Sequence, residues 1–217
     1  MDLNEIANST RAAGDGDDGF SMRMQIESAW SRVTTPRLVL RRPRVEELQT
    51  YMKTYEESTR VLRRLRKTTM PAPTYPKLGQ CREIWMSFVQ HWDTYGFGLW
   101  AATFPDTDAV IAFGGLQHQL LGSIEVLNLR LGIAPEHRRQ GYATEIARVA
   151  VDLGRAYLAE WPIILRVGYP DAAISVRVAE KVGLTRIPRP ELESEHTVYT
   201  VGWPSANNDG SAEGGDA

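Results

Sequence analysis

The feature that most narrows what this chain can fold into is a junction past its middle. Val126 to Ile133 is an apolar, strand-like run, and Ala143 to about Leu158 carries a long amphipathic helical pattern. Between them lies a short polar turn, Pro135-Glu136-His137-Arg138-Arg139-Gln140-Gly141. A strand feeding a helix through such a turn leaves backbone N–H groups unsatisfied at the helix start. Those donors, the positive end of the helix dipole and two arginines suit a phosphate-bearing ligand.

The rest of the chain supplies what surrounds that turn. Thr35 to Pro43 alternates apolar and charged residues and predicts a half-buried strand. Val45 to Glu57 predicts a helix, and so does Lys77 to Tyr95, which places Ile84, Trp85, Phe88, Val89 and Trp92 on one face. Strands are expected over Phe97 to Phe104, Ala109 to Gln117 and Glu125 to Ala134, with Gly114-Gly115 as a bulge or a site of close ligand approach. After the long helix, Pro162 to Val167 predicts a buried strand and Ala172 to Val182 a helix closed by Gly183. Leu184 to Ile187 and His196 to Trp203 are expected to close the sheet. The order implies an α/β or α+β fold with a mixed sheet.

The 217 residues are expected to divide into an acidic, mostly disordered segment over 1–30, with scattered apolar positions over 21–33 that suit a short docking segment, a folded domain over 31–203 and a disordered acidic tail over 204–217. Residues 1–30 hold two basic and six acidic side chains, whereas 31–203 hold 23 basic and 18 acidic, so a net charge of −2 hides a mildly basic centre. A single cysteine, Cys81, excludes an internal disulfide framework and points to a reducing, cytoplasmic setting. With four scattered histidines no zinc spacing is expected, and no apolar run is long enough to span a bilayer. No Walker loop occurs, and Gly96-Phe97-Gly98 lacks the third glycine of a dinucleotide fingerprint. Direct nucleic-acid binding has only the basic run Arg60 to Lys67 behind it.

Arg138-Arg139-Gln140-Gly141-Tyr142-Ala143, behind Ile133-Ala134-Pro135, resembles the cofactor motif of the GNAT acyl-CoA-dependent N-acetyltransferase superfamily. Thr35-Pro36-Arg37-Leu38-Val39-Leu40-Arg41, Tyr95 to Ala101, Gly141 to Glu145 and Ser175 to Leu184 are similar to its Rim-type branch, which includes the ribosomal-protein-alanine acetyltransferases. The resemblance covers about 35–203. It implies a mostly antiparallel sheet of six to seven strands flanked by helices. The strand before the motif and the strand after its helix are expected to splay apart around acetyl-CoA, used as co-substrate without a metal.

The resemblance implies that Arg138, Arg139, Gln140, Gly141, Tyr142, Ala143 and Thr144 hold the pyrophosphate, and that Leu131, Gly132 and Ile133 bind pantetheine through backbone. Ser175 matches the serine proposed to protonate the leaving sulfur, and Glu125 falls near the position of a base carboxylate. The family's pantetheine-binding asparagine is Ala172 here, a departure that Asp171 could offset; Tyr169 is a further acid. The acceptor is a primary amine on a protein N-terminus, a lysine or a small molecule. Its pocket is expected to draw on Arg60 to Lys67, the stretch near His196 and the side holding Trp85, Trp92 and Trp100, most of which suit the core better than a pocket; His118, read as a loop residue, either lines that pocket or is simply solvated. A homodimer stays open, as does a catalytically silent acyl-CoA-binding protein of the same fold.

Overall fold

The computed structural model describes residues 18–54, 78–167, 172–187 and 197–203. The expectations for 1–17, Arg60 to Lys67, Tyr169, Asp171, His196 and 204–217 lie outside them. Helix α1 covers Asp18–Trp30, and β1 (Arg32–Thr34) and β2 (Val39–Arg41) follow. A single 3-10 turn, Val45–Glu47, leads into α2 over 48–54. Helix α3 (Leu78–Tyr95), β3 (Leu99–Thr103), β4 (Val110–Leu121) and β5 (Ile124–Ile133) come next. Then come α4 (Tyr142–Tyr157), β6 (Ile163–Val167), α5 (Ala172–Lys181), β7 (Thr185–Arg186) and β8 (Thr197–Val201).

The eight strands form one sheet in the order β1-β2-β3-β4-β5-β6-β8-β7. All neighbours are antiparallel except β5 and β6. The sheet is mixed and mostly antiparallel, as expected, with eight strands among the described residues beside the expected six to seven. The alternating segment Thr35 to Pro43 is not one strand. Thr35 accepts the Leu38 N–H on its hydroxyl (2.9 Å), Pro36 fits the turn, and the chain doubles back so that Thr34 pairs with Val39. Nor is β2 half-buried: Val39, Leu40 and Arg41 are all buried, Arg41 held by Glu47 (2.5 Å) and Asp108 (3.2 Å).

The main core lies between α4, α1 and one face of the sheet. Ile26 and Trp30 of α1 belong to it, and Trp30 stacks on Trp100 at 4.6 Å. The packed unit therefore includes part of the segment expected to be a tail. On the other face a second cluster joins α3 to the sheet through Trp85, Phe88, Val89, Leu99, Ala101 and Phe113. Gly114-Gly115 serves strand packing: a Cβ on Gly115 would stand 2.3 Å from the Gly98 carbonyl oxygen. Helix α5 ends as expected, with Gly183 at φ 82° and the Leu184 N–H on the Ala179 carbonyl (2.9 Å).

Candidate functional site

Strands β4 and β5 pair continuously from Leu121↔Ile124 to Ala112↔Ile133. Against β6, however, β5 pairs only at Leu127↔Ile163 and Asn128↔Ile164. Past that point β6 pairs outward with β8, from Leu165↔Tyr199 to Val167↔Thr197. The two parallel strands thus fork at Asn128, as expected of the strands flanking the motif helix. Burial changes at the fork: Val126 to Leu129 are buried, while Leu131, Gly132 and Ile133 are partly open.

Hydrogen-bond direction along β5 fixes what faces the notch. Leu127 N–H donates to the Pro162 carbonyl (2.9 Å) on the β6 side, and Ala134 N–H donates to Ile111 (2.9 Å) on the β4 side. Alternation turns the N–H and C=O groups of Leu129, Leu131 and Ile133 the same way; the Asn128↔Ile164 bridge engages the Leu129 N–H, so the notch opens from the Leu129 carbonyl to Leu131 and Ile133. Gly132 instead directs its backbone toward β4. An added Cβ there would meet Phe113 O and Thr54 Cγ2 at 3.8 Å, an ordinary contact, so its lack of a side chain is not forced by packing.

The mouth of the notch is where both strands end, and two helices begin there. Helix α4 starts at Tyr142 after Gly141, whose φ of 85° favours glycine. Arg139 also has a positive φ, 62°. Left-handed residues in such a turn gather successive N–H groups around a concavity. Glu145 N–H is the first to reach an intrahelical acceptor, Gly141 (3.1 Å), so those of Tyr142, Ala143 and Thr144 begin the helix without one. Arg138 donates from Nε to the Ile133 carbonyl (3.1 Å), tying the loop to the end of β5, while Arg139 and Gln140 are exposed. Ala172 opens α5, and Ser175, half-buried, stands in its first turn.

Glu145, in the first turn of α4, is engaged. It accepts from Thr35 Oγ1 (2.6 Å), Arg37 N (3.1 Å) and Arg37 Nε (2.7 Å). Burial acts to raise its pKa, but the bonds from Thr35 and Arg37 and the arginine charge outweigh that and hold the carboxyl below its usual value.

The structure does not bring Glu125 to the mouth. It sits three residues before the fork, about 10 Å of strand away. Its carboxylate accepts from Trp161 Nε1 (3.3 Å) and stands 3.5 Å from His118 Nε2. His118 is no loop residue of an acceptor pocket. It lies in β4, buried, its ring 4.5 Å from Trp161 and 5.0 Å from Tyr95. The tryptophans on the acceptor side are core residues, as expected of most of them. Trp85, Trp92 and Trp100 are buried, and each donates its indole N–H to a backbone carbonyl (Val45, Leu99 and Trp30).

One residue escaped the sequence reading. Asn128, at the apex of the fork, is buried and donates to Gln119 Oε1 (3.4 Å) on the face opposite α4. With Gln117, its register partner, it forms an amide-lined patch beside Arg130, whose guanidinium lies 5.4 Å from the Phe88 ring. Its signal was an asparagine between two leucines of a mainly apolar run.

Residues 37–185 match the family model described as an acetyltransferase (GNAT) domain. The chain belongs to the GNAT family. Its fold is similar to that of an acetyltransferase from Agrobacterium tumefaciens, at 22% identity over 78% of this chain and 93% of that one, with a TM-score of 0.61. It is also similar to a ribosomal L7/L12 α-N-protein acetyltransferase in complex with coenzyme A (10% identity, 78% and 96% covered, TM-score 0.54). A third is a protein from Salmonella typhimurium described as an acetyltransferase, solved with its cofactor acetyl-CoA (11% identity, 80% and 98% covered, TM-score 0.53). No curated protein matches the chain. Within this GNAT domain, no helix among the described residues is long and apolar enough to cross a membrane.

Proposed function

We propose that this chain transfers an acetyl group from acetyl-CoA to a primary amine, on a protein N-terminus, a lysine or a small molecule. The observation that supports it is the fork between β5 and β6, opening onto the first turn of α4. Acetyl-CoA supplies an activated acyl group and a good thiolate leaving group. Leu131 and Ile133 offer inward backbone groups along which pantetheine adds like a strand, with Gly132 between them and Ala172 across the mouth. The N–H groups from Arg139 to Thr144, with the Arg138 and Arg139 charges and the exposed Gln140, suit the pyrophosphate, and Tyr142 anchors that turn in the core.

Leu131 directs the first inward N–H beyond the β5–β6 ladder, where it can stabilise charge developing on the acyl oxygen. Ser175 is the proposed proton donor to the departing sulfur. Glu125 takes the amine's proton through water, since the strand holds it away from the apex.

The test follows thiol release with a mixed amine panel alongside thermal stabilisation by CoA. Turnover on one amine class together with stabilisation is expected. Stabilisation without turnover on any amine would favour the silent acyl-CoA-binding reading, which Ala172 in place of the family's asparagine supports. Without stabilisation the proposal fails. Gly141→Val should abolish stabilisation by CoA with the circular dichroism spectrum unchanged, because a branched residue is strained at φ 85°.

A further inference from the structure

Two motif segments, Thr35 to Arg41 and Gly141 to Glu145, stand more than a hundred residues apart in sequence. In the fold the turn between β1 and β2 lies against the first turn of α4. Arg37 touches that turn at three places. Its NH1 donates to the Gln140 carbonyl (2.8 Å), its guanidinium lies 4.5 Å from the Tyr142 ring centroid, and its Nε and NH2 reach Glu145 Oε2 (2.7 and 2.5 Å). A Cβ on Gly141 would meet Arg37 NH2 at 3.4 Å, so the guanidinium also backs the left-handed residue. Glu145 in turn fixes the β1–β2 turn through Thr35 Oγ1 and the Arg37 N–H.

A carboxylate in the first turn of a helix is a poor neighbour for an anionic ligand, because it takes up the same positive helix end. Here it spends its oxygens on Thr35 and Arg37. The geometry points to Arg37 and Glu145 as a positioning pair: together they hold the Gln140–Tyr142 turn in the shape that presents its N–H groups to the pyrophosphate. Neither residue was assigned a role in binding by the motif itself. The planar fork of Arg37 makes three different contacts at once, which a lysine cannot reproduce.

This inference rests on the acetyl-CoA reading of the preceding section, and the experiment separates the two. CoA binding by the wild-type chain tests that reading; no binding overturns both. With wild-type binding measured, Glu145→Gln is the decisive variant. Simple electrostatics predicts tighter CoA binding once a negative charge leaves the helix start. Positioning predicts the opposite sign, a Kd for CoA raised roughly tenfold, the equivalent of one hydrogen bond to a charged group. Arg37→Lys should weaken CoA to a similar degree although the charge is kept.

The loss should be confined to the phosphate end. For Glu145→Gln, kcat/KM should fall roughly tenfold more with acetyl-CoA than with acetyl-pantetheine, which has no pyrophosphate, and the change should lie in KM rather than kcat. A global loss of structure would lower both substrates alike. Should Glu145→Gln not fold, Thr35→Val removes one bond to the carboxylate together with the Leu38 N–H bond of the same turn, and should raise the Kd for CoA at least about threefold. Glu145→Gln, or Thr35→Val in its stead, binding CoA as tightly as wild type or more tightly overturns the inference. So does an equal loss with the two acyl donors.

Discussion

His91 shows how one side chain can complete a sheet. Strand β3 begins only at Leu99, opposite Gly115, and β4 runs on past that point without it. His91 takes the vacant place: its Nε2 accepts the His118 N–H (3.0 Å) while its Nδ1 donates to the Phe97 carbonyl (2.8 Å). Both bonds require the neutral ring, which fixes the tautomer. Burial pushes its pKa down to about 4, the Phe97 bond opposing and the nearby His118 adding to the shift. His118 is lowered too, by burial, with Glu125 and Glu160 opposing. Unfolded histidine binds its proton near pH 6.5, so the unfolded state takes up protons first. Stability is therefore whole above about pH 6.5 and declines as pH falls toward 4. Thermal melts between pH 7 and 5 should show this decline, and His91→Gln, which keeps both bonds without titrating, should flatten it. An unchanged slope would count against the assignment. Glu125 allows a second check. If it takes the amine's proton through water, Glu125→Gln should lower kcat/KM by about a hundredfold, whereas a loss under about threefold would mean that Glu125 is not the base.

Strands β3 and β4 come close enough to share a ladder because glycines remove the obstacles. Gly115 has φ 152°, and its missing Cβ leaves room for the Gly98 carbonyl and Leu99 Cα. A Cβ on Gly98 would in turn lie 2.7 Å from the indole nitrogen of Trp92, which donates to the Leu99 carbonyl (2.8 Å). Gly115→Ala puts a methyl against backbone, where no rotamer change can relieve it. It should cost about 3 kcal/mol or more in a denaturant titration. Gly98→Ala meets a side chain and should cost less. The reverse ordering would show that the ladder is softer than its register suggests. Helix α4 relies on the same device: Gly154, among the helix's buried residues, faces Leu116 and Ile163, whose methyls would lie 2.6 and 2.9 Å from an added Cβ. That close seat of α4 on the sheet is what sets its first turn beside the mouth of the fork.

The molecule as a whole depends on α1, which packs where a short docking segment was expected. Trp30, fully buried, stacks on Trp100, whose indole N–H donates to the Trp30 carbonyl (2.7 Å). Trp30→Ala should cost about 3–5 kcal/mol, the usual range for emptying a large aromatic site. Deleting residues 1–30 should lower the melting temperature at least as much; an unchanged melt would show that α1 contributes little to the core. The order of elements, the helix after Gly141, the Gly183 cap and the anion-suited turn were all legible in the amino-acid order. Each depends on neighbours within a few residues, through hydrophobic period, turn chemistry or a required backbone angle. Hairpin β1–β2 was not legible, because three-residue strands are too short to show a period around Pro36. Asn128 could be read as a residue but not as an apex, since the fork exists only where pairing with Ile164 ends. The sequence by itself determined that a strand enters a helix through a phosphate-suited turn. Only the tertiary structure decided that Glu125 stands away from that turn, that Glu145 is bonded to Thr35 and Arg37 rather than to water, and that β5 parts from β6. Those outcomes depend on which distant segments meet, and local pattern carries no record of a contact made across a hundred residues.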